Sequence, residues 1–139
     1  MKKQILFYGI LFSILIINSC SKNDDSNDND IIIGKWRPIE RYESNQQVEM
    51  PTCLPYIYTE FKTDKSINSY MVSTLSIPNE CGNINFELGW NWKNLGNNEY
   101  RIRQFEYQDY IFTFYKDGVN LVEEHPDGIT KTVHEPYNN

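Results

Sequence analysis

From residue 84 to 93 the side chains alternate. Phe86, Leu88, Trp90 and Trp92 share one parity, and Asn85, Glu87, Gly89, Asn91 and Lys93 share the other. A period of two describes a strand with one face buried and is incompatible with an amphipathic helix, whose apolar positions recur at every third or fourth residue. Reading outward, β-branched and aromatic residues recur between turn signals about every 8 to 14 residues, and no stretch sustains a helical period. Eight strands follow, near 35–43, 55–62, 66–75, 84–94, 98–107, 109–116, 119–125 and 129–135. Asp64-Lys65, Gly96-Asn97-Asn98, Asp117-Gly118 and Pro126-Asp127-Gly128 suit hairpin turns, because Gly and Asn tolerate positive φ and Asp caps a turn locally. The expected fold is all-β: an eight-stranded antiparallel up-and-down barrel, in which closing the meander removes both exposed edges.

A barrel of eight strands is just wide enough to be filled by its own side chains or to hold one small ligand. Trp36, Phe61, Phe86, Trp90, Trp92, Tyr100, Phe112 and Phe114 are the expected inward or rim aromatics. They either fill the core or line a pocket for a hydrophobic small molecule.

The N-terminus is a different material. Lys2 and Lys3 precede an uncharged apolar run over 5–17, too short for the roughly 20 residues a membrane-crossing helix needs and fitting the hydrophobic region of a signal peptide. Ile17-Asn18-Ser19-Cys20 then resembles a bacterial lipobox, with Asn18 departing from the usual small or apolar residue. The resemblance implies a signal helix over 1–19, acylation of Cys20 by a palmitate-type lipid, and an exported lipoprotein whose lipid is its membrane partner. Residues 21–30, SKNDDSNDND, hold no apolar side chain, so 20–30 reads as a lipidated cysteine and flexible acidic tether before a barrel domain over 31–139. Acidic residues just after the cysteine resemble the export signal of Bacteroidota-type lipoproteins, implying the outer membrane, on its periplasmic or cell-surface face. Removing 1–19 takes Lys2 and Lys3 away and moves the net charge from −6 to −8. Such a chain has no basic face for sequence-independent nucleic-acid binding.

With Cys20 acylated, Cys53 and Cys81 form an even pair outside the reducing cytoplasm. A disulfide between them would close a loop of about 29 residues and stabilise by roughly 3 to 4 kcal/mol on the chain-entropy model. The rival reading, a catalytic thiol, needs a histidine-type base. In a meander Cys53 precedes the second strand and Cys81 the fourth, so both lie at one pole, which also carries the long connection over 44–54.

Ile33-Gly34-Lys35-Trp36 resembles the Gly-x-Trp start of lipocalins, most of all the lipocalin-like domains of small bacterial lipoproteins. Phe61-Lys62-Thr63-Asp64, the cysteine pair and Val119-Asn120-Leu121 follow in the family's order over about 31–135. The resemblance implies a lid in the first loop, with 46–50 as its mobile part beside a disulfide-fixed rim. It also implies a basic side chain stacked on Trp36, for which Lys131 is the expected residue and Lys116 the alternative.

Other features are weaker. Residues 110–115, YIFTFY, are apolar on both parities, so Ile111 and Tyr115 either form an outer patch for a partner or dimer or are covered by the tether or a loop. Arg101 and Arg103 make a small basic stripe, either solvated or suited to an anionic partner. Glu123, Glu124 and His125 are adjacent, but neighbours on a strand face opposite ways. With the turn centred on Asp127, His134 falls near Asn120, so the two histidines are not expected to converge. No nucleophile elbow, phosphate loop or paired Cys-x-x-Cys spacing occurs. No catalytic residue, metal site or cofactor is therefore expected. The expected role is non-enzymatic, the binding of a small hydrophobic ligand, with a protein-interaction or inhibitor module acting through the open-end loops as the alternative.

Overall fold

The computed structural model describes residues 29–72, 77–82, 85–104 and 108–138, with the backbone alone over 85–88. The expected signal helix, Cys20 and most of the tether lie outside the described residues.

The strands are β1 (Gly34–Glu43), β2 (Gln46–Val48), β3 (Ile57–Phe61), β4 (Ser66–Met71), β5 (Asn85–Gly96), β6 (Glu99–Gln104), β7 (Gln108–Asp117), β8 (Asn120–Glu124) and β9 (Thr130–Pro136). Eight of them form a closed antiparallel up-and-down barrel in the order β1-β3-β4-β5-β6-β7-β8-β9, with β9 returning to β1 from Trp36↔Pro136 to Glu43↔Thr130. The turns fall at the expected residues. Lys65, Asn97, Asn98, Gly118 and Gly128 all have positive φ, the backbone that tight hairpins require.

β2 is additional. Residues 46–50 were expected to be the mobile part of a lid, but Gln46–Val48 is a strand hydrogen-bonded to the end of β1, with Arg41↔Val48 and Glu43↔Gln46 opposed. The physical reason is the turn: Ser44 and Asn45 both take positive φ, 50° and 65°, which folds the chain straight back as a two-residue hairpin.

Two irregularities shape the wall. The β1–β9 register shifts between Pro38 and Glu40, so Pro38, which has no N–H to give, stands where the ladder is already interrupted. The β4–β5 register shifts between Ile67 and Asn68, opposite Gly89 at φ +61°. Trp90 and Trp92 share the inward face, opposite Ile67 and Ile102, as the alternation predicts.

Strand direction defines two poles. At one, β1 begins and β3, β5, β7 and β9 end. Ile32, Trp36, Phe61, Ile67, Trp92, Tyr100, Ile102, Phe114 and Leu121 pack together there as the core. The segment before β1 plugs this pole. Ile32 is 0% exposed, and its carbonyl accepts from Trp36 Nε1 at 2.7 Å. Asp30 is pinned beneath it: Oδ1 accepts from the Tyr100 hydroxyl at 2.6 Å and Oδ2 from Asn94 Nδ2 at 2.7 Å. Burial and the Asp30 carboxylate together push the Tyr100 phenol well above its ordinary range.

Two lysines lie over the core tryptophans. Lys65 Nζ is 3.9 Å from the Trp92 ring centre and Lys116 Nζ 3.7 Å from that of Trp36. The expected partner of Trp36 was Lys131, which instead lies over Tyr42 at 4.7 Å. β9 begins at the opposite pole, so Lys131 is a strand's length away from Trp36, whereas Lys116 stands one residue before the end of β7, beside it.

Candidate functional site

The other pole is the mouth, where β1, β4, β6 and β8 end, β3, β5, β7 and β9 begin, and the β1–β2 hairpin stands. Cys53 and Cys81 are disulfide-bonded there, with Cα atoms 5.3 Å apart, joining the segments that lead into β3 and β5. The pairing expected from the residue count is present and braces the rim.

β7 extends past the end of β8 at the mouth, since the last β7–β8 pair is Thr113↔Glu124 and β7 begins at Gln108. The gap is a cavity of about 290 Å³ lined by Gln104, Tyr110, Phe112, His125, Pro126 and Asp127. The Phe112 and His125 rings meet edge to face, with centroids 5.4 Å apart. The β8–β9 turn that forms one wall is held by Asp127. Its carboxylate accepts from the Ile129 and Thr130 amides at 2.9 and 2.8 Å and from the Thr130 hydroxyl at 2.6 Å. Those bonds hold the Asp127 carboxyl down at about 2.

Behind His125 the inward positions are polar. Glu123 lies between two imidazoles: His134 Nε2 is 2.8 Å from Oε2 and His125 Nε2 is 3.3 Å from Oε1. Thr130, Thr132 and His134 are buried on β9, and Thr132 Oγ1 is 3.3 Å from His125 Nε2. Burial alone pushes the Glu123 carboxyl up, but the His134 hydrogen bond and the proximity of His134, His125 and Arg41 outweigh it and hold the group below its usual range. An ionised carboxylate therefore sits inside the barrel with its side chain only 18% exposed. Because that carboxylate only accepts, His134 donates through Nε2–H.

This convergence corrects the expectation that the two histidines stay apart. Leu121 opposes His134 and Glu123 opposes Thr132, one residue out of the register expected from a turn centred on Asp127. A one-residue slip in strand pairing moves every side chain to the other face. It carries His134 from the outer side, opposite Asn120, to the inner side shared by Leu121, Glu123 and His125. The readable signal was Glu123-x-His125, whose spacing of two puts both side chains on one face. Among the described residues no group of three or more His, Cys, Asp and Glu side chains is arranged to hold a metal ion.

Of the eight aromatics expected to fill the core or line a pocket, Trp36, Phe61, Trp92, Tyr100 and Phe114 are buried in the packed pole. Trp90 and Phe112 are partly buried against that core, and Phe112 also lines the cavity. The Phe86 side chain lies outside the described residues. Gln104, Tyr110, His125, Pro126 and Asp127 were not anticipated as cavity residues, because nothing in the sequence shows that β7 overshoots β8.

The outer features are accounted for separately. Arg103 makes two hydrogen bonds to Asp109, at 2.7 and 3.1 Å, and Arg101 approaches the same carboxylate at 3.7 Å, so the basic stripe has a local counter-charge. Ile111 is exposed, while Tyr115 is half-buried and donates to Glu124 at 3.3 Å.

A scan against protein-family models and a search of curated proteins found no match to this chain.

Proposed function

We propose that this chain is a lipid-anchored, lipocalin-like lipoprotein whose barrel takes up one small, largely apolar ligand at its mouth. The observation that carries the reading is the division of the interior. The packed half is filled by its own side chains, and among the described residues a cavity opens where β7 overshoots β8. Its volume of about 290 Å³ lies at the lower edge of the roughly 300 to 1,000 Å³ range of small-molecule sites, enough for one ring system or a short chain. Tyr110, Phe112 and Pro126 offer the apolar walls, and Gln104 and His125 offer polar groups to orient a ligand. We read this role as non-enzymatic, with the Glu123 carboxylate engaged by two imidazoles.

The anchor is read from Ser19-Cys20 after the apolar run, and the outer membrane from the acidic residues that follow. Mass analysis of the N-terminal peptide from the membrane-extracted protein should find it beginning at Cys20 and carrying acyl chains. The ligand is tested by titrating the extracted protein with a lipophilic naphthylamine dye and repeating the titration with Phe112→Ala. A saturable emission change that weakens in the variant is expected. No saturable change with any apolar probe sinks the reading.

A protein-interaction role through the open-end loops has one observation in its favour. The β1–β2 hairpin ends in an exposed tip over 43–47, on a rim braced by the disulfide. Substituting that tip should leave dye binding unchanged, which separates the two roles.

A further inference from the structure

The packed pole carries features that ligand binding at the mouth does not use. Two of the large apolar side chains that stand exposed are here: Leu95, 46% exposed near the end of β5, and Val119, 74% exposed in the β7–β8 turn. The β5–β6 and β7–β8 hairpins that bear them are neighbours, tied by the Phe114 amide to the Asn98 carbonyl at 2.9 Å. The chain enters the barrel at the same place, because Asp30 is bonded to Asn94 and Tyr100, the residues flanking the β5–β6 turn. The point where the chain enters the barrel and two apolar tips thus share one end.

Length and charge say what lies against that end. Ten residue steps separate Cys20 from Asp30, and a chain of that length spans at most about 35 Å. A barrel held so close meets the lipid at a high effective concentration, so two apolar tips suffice for a contact that would be negligible in free solution. Lys35, Lys62, Lys65, Lys93 and Lys116 stand on the packed half, where long stems lie along an interface while their ammonium groups stay wet. With Arg37 and Arg101 they slightly outnumber the acids of that half, Asp30, Glu60, Asp64, Glu99, Asp117 and Glu135. At the mouth, among the described residues, Glu43, Glu49, Glu80, Asp109, Glu124 and Asp127 outnumber Arg41, Arg103 and Lys131, so an anionic surface repels the mouth more than the packed pole.

We infer that the packed pole is a lipid-docking face: the hairpin tips with Leu95 and Val119 enter the headgroup layer, and the ligand cavity points away from the membrane. This rests on the anchoring read from Cys20.

The test uses the full chain, processed and acylated in the cell that makes it, bound to phosphatidylethanolamine–phosphatidylglycerol vesicles. Val119→Trp reports on the packed pole and Ile129→Trp, also at an exposed position, on the mouth. With lipids brominated along their acyl chains, the emission that Val119→Trp adds to that of the native Trp36, Trp90 and Trp92 should fall by about half, as for a side chain seated at the headgroup–acyl boundary. Ile129→Trp should lose nothing and stay open to aqueous iodide. Leu95→Trp serves as a second reporter should Val119→Trp fold poorly. If the wild-type chain does not float with vesicles, the anchoring reading and this inference fall together. If it floats but iodide reaches both reporters equally, the docking face alone is overturned. A blue shift at Val119→Trp that grows with protein concentration without lipid quenching assigns the tips to a second copy, and also overturns it.

Discussion

The two halves of this barrel obey the same alternation and fill their inward positions with different chemistry. At the packed pole the inward residues include Trp36, Phe61, Trp92, Phe114 and Leu121; from His134, level with Leu121, toward the mouth, β8 and β9 turn Glu123, His125, Thr130 and Thr132 inward beside the aromatic Tyr110 and Phe112. Parity therefore decides which side chains point inward and says nothing about whether those side chains are apolar. A buried polar group is tolerated when it is partnered, yet a buried ion pair seldom stabilises a fold as well as packed hydrocarbon would. The packed pole is the half built for stability, and the mouth is where the chain accepts a worse solution.

The sharpest break between the halves lies along one strand. Phe114 is 1% exposed and meets Phe61 and Tyr100 edge to face. Phe114→Ala should cost about 3 to 5 kcal/mol in urea unfolding, the range for emptying a buried aromatic site. Phe112, two residues nearer the mouth, is only half-buried, so Phe112→Ala should cost about 1 to 2 kcal/mol while weakening dye binding. Equal costs would mean the interior is one continuous core and the division is false.

The disulfide tests whether the halves open separately. Replacing Cys53 and Cys81 together by Ser should lower stability by about 2 to 4 kcal/mol. Local opening should appear first at the rim segments that the bridge joins. Hydrogen exchange should quicken around 53–57 and 77–82, while the amides of Trp92 and Phe114, bonded to the Lys65 and Asn98 carbonyls, keep their protection. Uniform loss across both poles would make the barrel a single cooperative unit.

Acid should loosen the mouth before the packed pole. Glu123 has a folded-state carboxyl value below the ordinary one, held down by His134, His125 and Arg41 against burial. A depressed folded value contributes stability that is present above the unfolded value and is lost as pH falls through the folded one. The difference between wild type and Glu123→Gln should therefore be constant above roughly pH 5, where an unfolded Glu is ionised, and should shrink below it. At neutral pH it should be about 1 to 3 kcal/mol, the worth of hydrogen bonds to a buried charged group. A gap that is unchanged on acidification would show that the carboxylate contributes nothing as an ion.

How far these halves could be read beforehand differs for a physical reason. Strand positions were legible because turn residues such as Gly96-Asn97-Asn98 and Asp117-Gly118 mark them locally, and the inward aromatics followed from parity. The bridge was legible too, because direction in a meander places residues at poles without any side-chain detail. The mouth depended on register, which no single residue announces. A turn centred one residue off hid the His125, Glu123 and His134 cluster, and the length by which β7 overshoots β8 hid the cavity. The Ser44-Asn45 hairpin was missed because neither residue is Gly, although both adopt positive φ.

The smallest effect concerns the lysine over Trp36, a residue that pole counting could have chosen. β9 starts at the mouth and β7 ends at the packed pole, so only Lys116 can reach that ring. Lys116→Ala should cost about 1 kcal/mol, whereas Lys131→Ala, which uncovers Tyr42 on the outer wall, should cost less than about 0.5 kcal/mol. The sign of the charge's own contribution is a separate matter. The ring face attracts the ammonium, but burial pushes the Lys116 amine below its ordinary range, so the two effects oppose each other. Lys116→Met keeps a long apolar stem over the indole and removes the charge, and it should recover most of what alanine loses. Recovery would make the stem a packing element of the stable half. A methionine variant as weak as alanine would instead make the ammonium the working part, and would put a charge inside the half of the barrel that otherwise relies on hydrocarbon.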